Sequence, residues 1–94
     1  MDPFAALADP TRRRIIELLA EGELAAGALA RRFDMTQPAV SQHLAILRNV
    51  SLVRVRREGQ RRMYALDPQG FVELDQWLAR YRRFLAPFDA PRRA

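Results

Sequence analysis

The stretch Thr36–Val50, TQPAVSQHLAILRNV, decides the fold. At about 100° per residue and with Val40 set at zero, Leu44 falls near 40° and Leu47 near −20°, so the three make one apolar helical stripe. On the same wheel Gln37, Ser41 and Arg48 gather at roughly 60 to 100°, with Ala45 and Gln42 farther round. A solvated helix face ordinarily carries Glu and Lys, whereas this one carries Gln, Ser, Gln and a single Arg. Gln and Ser side chains both donate and accept hydrogen bonds, which suits them to the edges of nucleobases. A plain solvated polar surface is the competing reading of Gln37, Ser41 and Gln42.

Upstream, Asp9-Pro10 opens a helix over TRRRIIELLAEG, with Ile15, Leu18 and Leu19 at i, i+3, i+4 and a stop at Gly22. A short amphipathic turn around Phe4 to Leu7 precedes it. Between Gly22 and Thr36, Leu24, Leu29 and Phe33 keep a helical spacing, which predicts a second helix. Its start is poor, because Ala25 and Ala26 stand where a Ser or Thr cap is expected, an omission worth about 1 kcal/mol. The brief Asp34-Met35-Thr36 link then makes a helix-turn-helix with the quoted segment, which Thr36 and Pro38 open.

Downstream, LVRVRREGQRRMYAL (Leu52–Leu66) changes from a helical to an alternating period, and reads as a two-stranded hairpin turning at Gly59. Val53 and Val55 alternate with Arg54 and Arg56, while Tyr64 and Leu66 return toward the core. Arg48, Arg54, Arg56, Arg57, Arg61 and Arg62 crowd this region against Glu58 alone. The predicted fold class is therefore mainly α with a small β-hairpin: a winged helix-turn-helix. In such a fold the polar helix can lie in the major groove of double-stranded DNA while the hairpin tracks the neighbouring phosphates or the minor groove, with Arg48 on the backbone nearby.

The last predicted helix, opened by Asp67-Pro68, runs to about Leu85, before Pro87 and Pro91. Phe71, Leu74, Leu78 and Leu85 form one stripe, and Trp77, Tyr81 and Phe84 widen the apolar arc to roughly 140°, beyond the ~100° that one core face needs. A larger core is the alternative, but a chain of 94 residues has little to offer. A homodimer is expected, with Phe4, Leu7, Leu74, Trp77, Leu78, Tyr81 and Phe84 in its interface. The chain reads as a single domain, 1–94, with an ordered core over 4–85 and a frayed tail over 86–94.

Composition agrees. An apolar fraction of 49% supports a core, and sixteen cations, all Arg, against eleven anions leave +5, pointing to a polyanionic partner. GC-rich codon usage is an alternative source of Arg over Lys, but it does not explain where the arginines sit. Cysteine is absent, which excludes disulfides, thiol switches and thiolate metal sites. No basic start leads into an unbroken apolar run and no stretch approaches 18 apolar residues, so a cytoplasmic protein without membrane contact is expected. His43, the only histidine, sits at the margin of the buried stripe. It reads first as a hydrogen-bonded imidazole at the core edge and second as a DNA contact, because no other His or Cys completes a metal or catalytic site. Glu17, Glu21 and Glu23 read as an exposed cluster around a helix end. No phosphate-binding glycine motif or nucleophile elbow occurs, so neither an enzyme nor a cofactor is expected.

Three segments, ALADPTRRRIIELLAEGEL, TQPAVSQHLAILRNVSLVRVRREGQRRMYAL and LDQWLARYRRFL, resemble the ArsR/SmtB family of winged-helix repressors over roughly Phe4 to Leu85. The resemblance implies a homodimeric transcriptional repressor, paired through its first and last helices, on an inverted repeat near its own or an adjacent promoter. It also implies that Thr36, Gln37, Ser41, Gln42 and His43 belong to the recognition helix, and Arg54, Arg56, Arg57, Arg61 and Arg62 to the wing. Three departures matter. Where many relatives carry a metal-binding Cys-x-Cys this chain has LAAGALA; where others place His and Asp ligands between C-terminal helices it has Trp77, Tyr81 and Phe84; and Val50-Ser51 replaces a common Ala-Gly. The likeness is to a member that does not sense metals, and it leaves any inducer unnamed. A winged-helix protein-interaction module without DNA readout is the competing function.

Overall fold

Four helices begin on one device, an Asp or Thr side chain capping a first turn that contains proline. In the computed structural model, which describes residues 1–85, Asp2 caps α1 (Pro3–Ala6) and Asp9 caps α2 (Pro10–Leu19). Thr36 caps α4 (Gln37–Asn49) and Asp67 caps α5 (Pro68–Ala79). Each cap satisfies amides that the helix itself leaves without acceptors. The Asp2-Pro3 pair adds a fourth such start to the three read above, and moves the expected N-terminal turn to Pro3–Ala6.

The exception is α3 (Ala26–Phe33), whose N-cap Ala25 makes no side-chain bond. Here the helical reading of Leu24 is corrected. Leu24–Ala25 form a short strand, β1, paired antiparallel with β3 (Arg61–Leu66) in the register Leu24↔Tyr64 and Ala25↔Met63. The uncapped start gives a helix little hold on these two residues, while the open edge of β3 offers a ladder. β2 (Val53–Glu58) pairs on the other side of β3 as the expected hairpin, to which β1 adds a third strand in the order β1-β3-β2.

Val40, Leu44 and Leu47 are buried, as the stripe requires, among Ile15, Leu19, Leu29, Leu52, Val53 and Tyr64. Between α3 and α4, Asp34 takes a left-handed conformation (φ 53°) and the Met35 amide closes onto the Ala30 carbonyl at 3.2 Å. A short polar side chain tolerates that geometry. After α4, Ser51 also turns left-handed (φ 60°), the conformation glycine adopts most freely. Its carbonyl accepts the Gly70 amide at 2.7 Å, and the Leu52 carbonyl accepts the Asp67 amide at 2.9 Å, so α5 is seated on the α4–β2 turn.

The last helix is shorter than its sequence pattern suggests. α5 stops at Ala79; the Arg80 and Tyr81 amides fold back three residues to Trp77 and Leu78, and a 3₁₀ turn follows over Arg82–Phe84. Helices persist where an apolar face is packed, and beyond Ala79 the described residues supply no such packing. Phe4, Trp77, Leu78, Tyr81 and Phe84 are exposed, Trp77 by 45% and Phe84 by 61%. Phe4 meets Trp77 edge-on at 5.5 Å and Trp77 stacks obliquely on Tyr81 at 4.8 Å. Leu7 and Leu74 differ, being half-buried against the core beneath this aromatic face. The expected tail, 86–94, lies outside the described residues. Among the described residues no helix is long and apolar enough to cross a membrane.

Candidate nucleic-acid interface

α4 turns Val40, Leu44 and Leu47 inward and thereby leaves Gln37, Ser41, Gln42 and Arg48 exposed. Thr36 sits at the head of the row, where its Oγ1 accepts the Ala39 amide at 3.2 Å, so it starts the helix. His43 goes elsewhere. Half-buried, its Nδ1 stands 3.4 Å from Arg12 Nη1; a guanidinium only donates, so Nδ1 accepts. Arg12 in turn donates from Nε to the Ala6 carbonyl at 2.6 Å, with Asp9 Oδ2 3.8 Å from its Nη1. The recognition helix is thus tied to the α1–α2 elbow through His43. Burial opposes ionisation of Asp9, but the Arg12 and Thr11 amides and the charge of Arg12 outweigh it and hold the carboxyl below its usual range.

The wing sorts its arginines by face. Residues alternate along a strand, so Val53 and Val55 on β2 and Tyr64 and Leu66 on β3 point to the core. Beyond the core edge the same alternation carries Arg57 and Arg62, directly opposite each other in register, on the face that Val55 and Tyr64 share. Arg54, Arg56 and Arg61 fall on the outer face. There Arg56 grips Glu23 bidentately, at 2.9 and 2.7 Å, and also reaches Glu58 at 3.1 Å, while Arg61 meets Glu58 at 3.2 Å. These bonds lower the carboxyls of Glu23 and Glu58 and raise the guanidinium of Arg56. Glu23 is therefore no idle member of an acidic cluster. It ties the β1 end of the sheet to β2 across β3.

Between the head of α4 and β3 runs an open groove of about 620 Å³, with Gln37 and Ser41 on one wall and Arg61 and Arg62 on the other. Arg31 of α3 also lines it, and the sequence reading missed this. The available signal was its spacing: Gly27 and Arg31 are one turn apart, off the Leu29–Phe33 stripe. Arg48 and Arg54 line a separate recess at the far end of α4. Among the described residues no group of three His, Asp or Glu side chains is placed to hold a metal ion.

A helix-turn-helix with a cationic wing beside its second helix invites comparison with known regulators. Residues 9–55 match the family described as bacterial regulatory protein, arsR family. The chain is 53% identical over 78 residues to the HTH-type transcriptional regulator Rv2034 of Mycobacterium tuberculosis, covering 83% of this chain and 73% of that one. This chain belongs to the ArsR family. A second relative, the transcriptional repressor SdpR of Bacillus subtilis, is 35% identical over 78 residues, covering 83% of this chain and 87% of its own. Among solved structures, the homodimeric winged helix-turn-helix DNA-binding domain of Mb0332 from Mycobacterium bovis superposes with a TM-score of 0.71 at 32% identity, covering 86% and 75% of the two chains. The protein is thus an ArsR-family DNA-binding transcriptional regulator of winged helix-turn-helix fold, and not an enzyme.

Proposed function

We propose that this ArsR-family regulator is a cytoplasmic homodimeric repressor of its own or an adjacent promoter, which binds an inverted repeat in double-stranded DNA and does not respond to first-row metals. The observation that carries the reading is the placing of Arg57 and Arg62. Like charges directly opposite on a hairpin cost stability, and an anion lying between them removes the cost. A phosphate backbone beside the exposed Gln37, Ser41, Gln42 and Arg48 row supplies that anion. In this reading Gln37 and Ser41 contact base edges, Arg57 and Arg62 neutralise phosphates, and Arg54, Arg56 and Arg61 form an outer, partly carboxylate-paired layer.

The exposed Phe4, Trp77, Leu78, Tyr81 and Phe84 support the dimer, because an isologous contact covers the same apolar face twice. Two recognition helices on one side of the duplex set half-sites about one helical turn apart, roughly 34–36 Å. Repression comes from likeness to SdpR. The lack of metal response comes from the donors: a lone histidine bonded to Arg12, no cysteine, and aromatic side chains on the α5 face.

Selection of bound duplexes from a random pool tests the reading. It should return an inverted repeat whose affinity is unchanged by zinc, cobalt or nickel. A pool without enrichment, or stoichiometric submicromolar zinc binding that releases DNA, contradicts it.

A further inference from the structure

We propose that Arg31, on the helix before the recognition helix, is a phosphate contact that closes the third side of the groove between α4 and the wing. The inference rests on the DNA-binding reading above. α3 packs Ala26, Leu29 and Ala30 into the core, which leaves Gly27 and Arg31, one turn apart, on the side facing the groove. Gly27 has no side chain to stand between them, and the Gln37 and Arg31 side chains both reach over it. A β-carbon built there would lie 3.5 Å from Gln37 Oε1 and 3.8 Å from Arg31 Nη1. The guanidinium therefore stands beside the residue assigned to base reading, across the groove from Arg61 and Arg62. Among the described residues Arg31 forms no ion pair, whereas Arg61 is bonded to Glu58.

Arg31, Arg61 and Arg62 thus surround a mouth that opens at the head of α4. The first helix of a helix-turn-helix crosses the DNA backbone, and a guanidinium fork matches two phosphate oxygens. A purely structural role for Arg31 also exists, since a cation in the last turn of α3 favours the helix dipole. Arg32 separates the two roles. It is the next residue, in the same last turn and with the same charge, but it lines a different recess with Leu18, Glu21 and Glu23.

The test compares Arg31→Gln, Arg31→Lys and Arg32→Gln with the unaltered protein, by fluorescence anisotropy on a mixed-sequence duplex over a salt series. Gln is nearly as good a helix former as Arg, so the variants should melt alike. Arg31→Gln should lower the slope of log affinity against log salt by about 0.9 for each protomer engaged. Between 50 and 200 mM salt its deficit relative to the unaltered protein should then shrink about threefold per contact. Arg31→Lys should keep most of the slope, and Arg32→Gln all of it. An unchanged slope for Arg31→Gln, or an equal fall for Arg32→Gln, overturns the proposal and leaves DNA binding standing. If the unaltered protein binds no duplex, the DNA-binding reading fails and this one with it.

Discussion

Gly70 lies inside α5, where glycine ordinarily weakens a helix, so replacing it with alanine would normally add about 1 kcal/mol of stability. Here the sign should reverse. A β-carbon on Gly70 would stand 2.6 Å from the Ser51 carbonyl oxygen and 2.8 Å from Leu52 Cδ2. The first of these is backbone and cannot rotate away. Relief requires α5 to lift off the α4–β2 turn, stretching the bond from the Gly70 amide to Ser51. Losing that bond costs about 0.5–1.5 kcal/mol, and overpacking a tight contact typically about 1–3 kcal/mol. Set against the propensity gain of about 1 kcal/mol, Gly70→Ala should destabilise by about 1–3 kcal/mol. At about 4–8 °C per kcal/mol for a domain of this size, a calorimetric or circular-dichroism melt should shift down by roughly 5–20 °C. Since α5 carries the aromatic face, the loss should be accompanied by weaker self-association. A variant as stable as the parent, or more so, would refute the seating of α5 on the turn.

Ser51→Gly should raise stability by about 0.5–1 kcal/mol, read as a higher denaturant midpoint, because Ser51 holds a left-handed backbone; a fall would contradict that conformation. The carboxyls of Asp9, Glu23 and Glu58 are lower in the folded than in the unfolded chain. As pH drops through about 4 the unfolded chain takes up protons first, so the stability these groups contribute above that range should be lost on acidification, and Asp9→Ala should blunt the loss seen in urea titrations. Leu78→Arg, at the centre of the exposed face, should yield a 10.8 kDa monomer in light scattering where the parent is a dimer; a parent that is itself monomeric at micromolar concentration removes the dimer proposal.

The recognition helix was legible because its signals agree: a Thr cap, a proline in the first turn, and a 3.6-residue stripe that the core accepts whole. The wing strands were legible from alternation around Gly59. Leu24–Ala25 were not, since two residues carry no period and their partner, Tyr64–Met63, lies some forty positions on. The end of α5 was misread for a related reason. The apolar pattern continues to Leu85, but a helix continues only where something covers that pattern, and sequence periodicity does not say whether the cover belongs to the same protomer. Within the interface, spacing separated His43 from the polar row. The division of the wing between Arg57/Arg62 and the carboxylate-held Arg56 and Arg61 depends on register and on Glu23 from a distant strand, so composition alone treated the arginines as equals.

The central claim, that the polar row of α4 reads sequence while the inward wing arginines neutralise phosphates, is tested most directly by anisotropy titrations of single variants. The probes are a duplex selected from a random pool and its scrambled counterpart, at several salt concentrations. Gln37→Ala and Ser41→Ala should each cost about 1–3 kcal/mol on the selected sequence and little on the scrambled one, whereas Arg57→Ala and Arg62→Ala should weaken both alike and flatten the salt dependence. Should the α4 variants leave the ratio of the two affinities untouched while the wing variants change it, the polar row is not the reader.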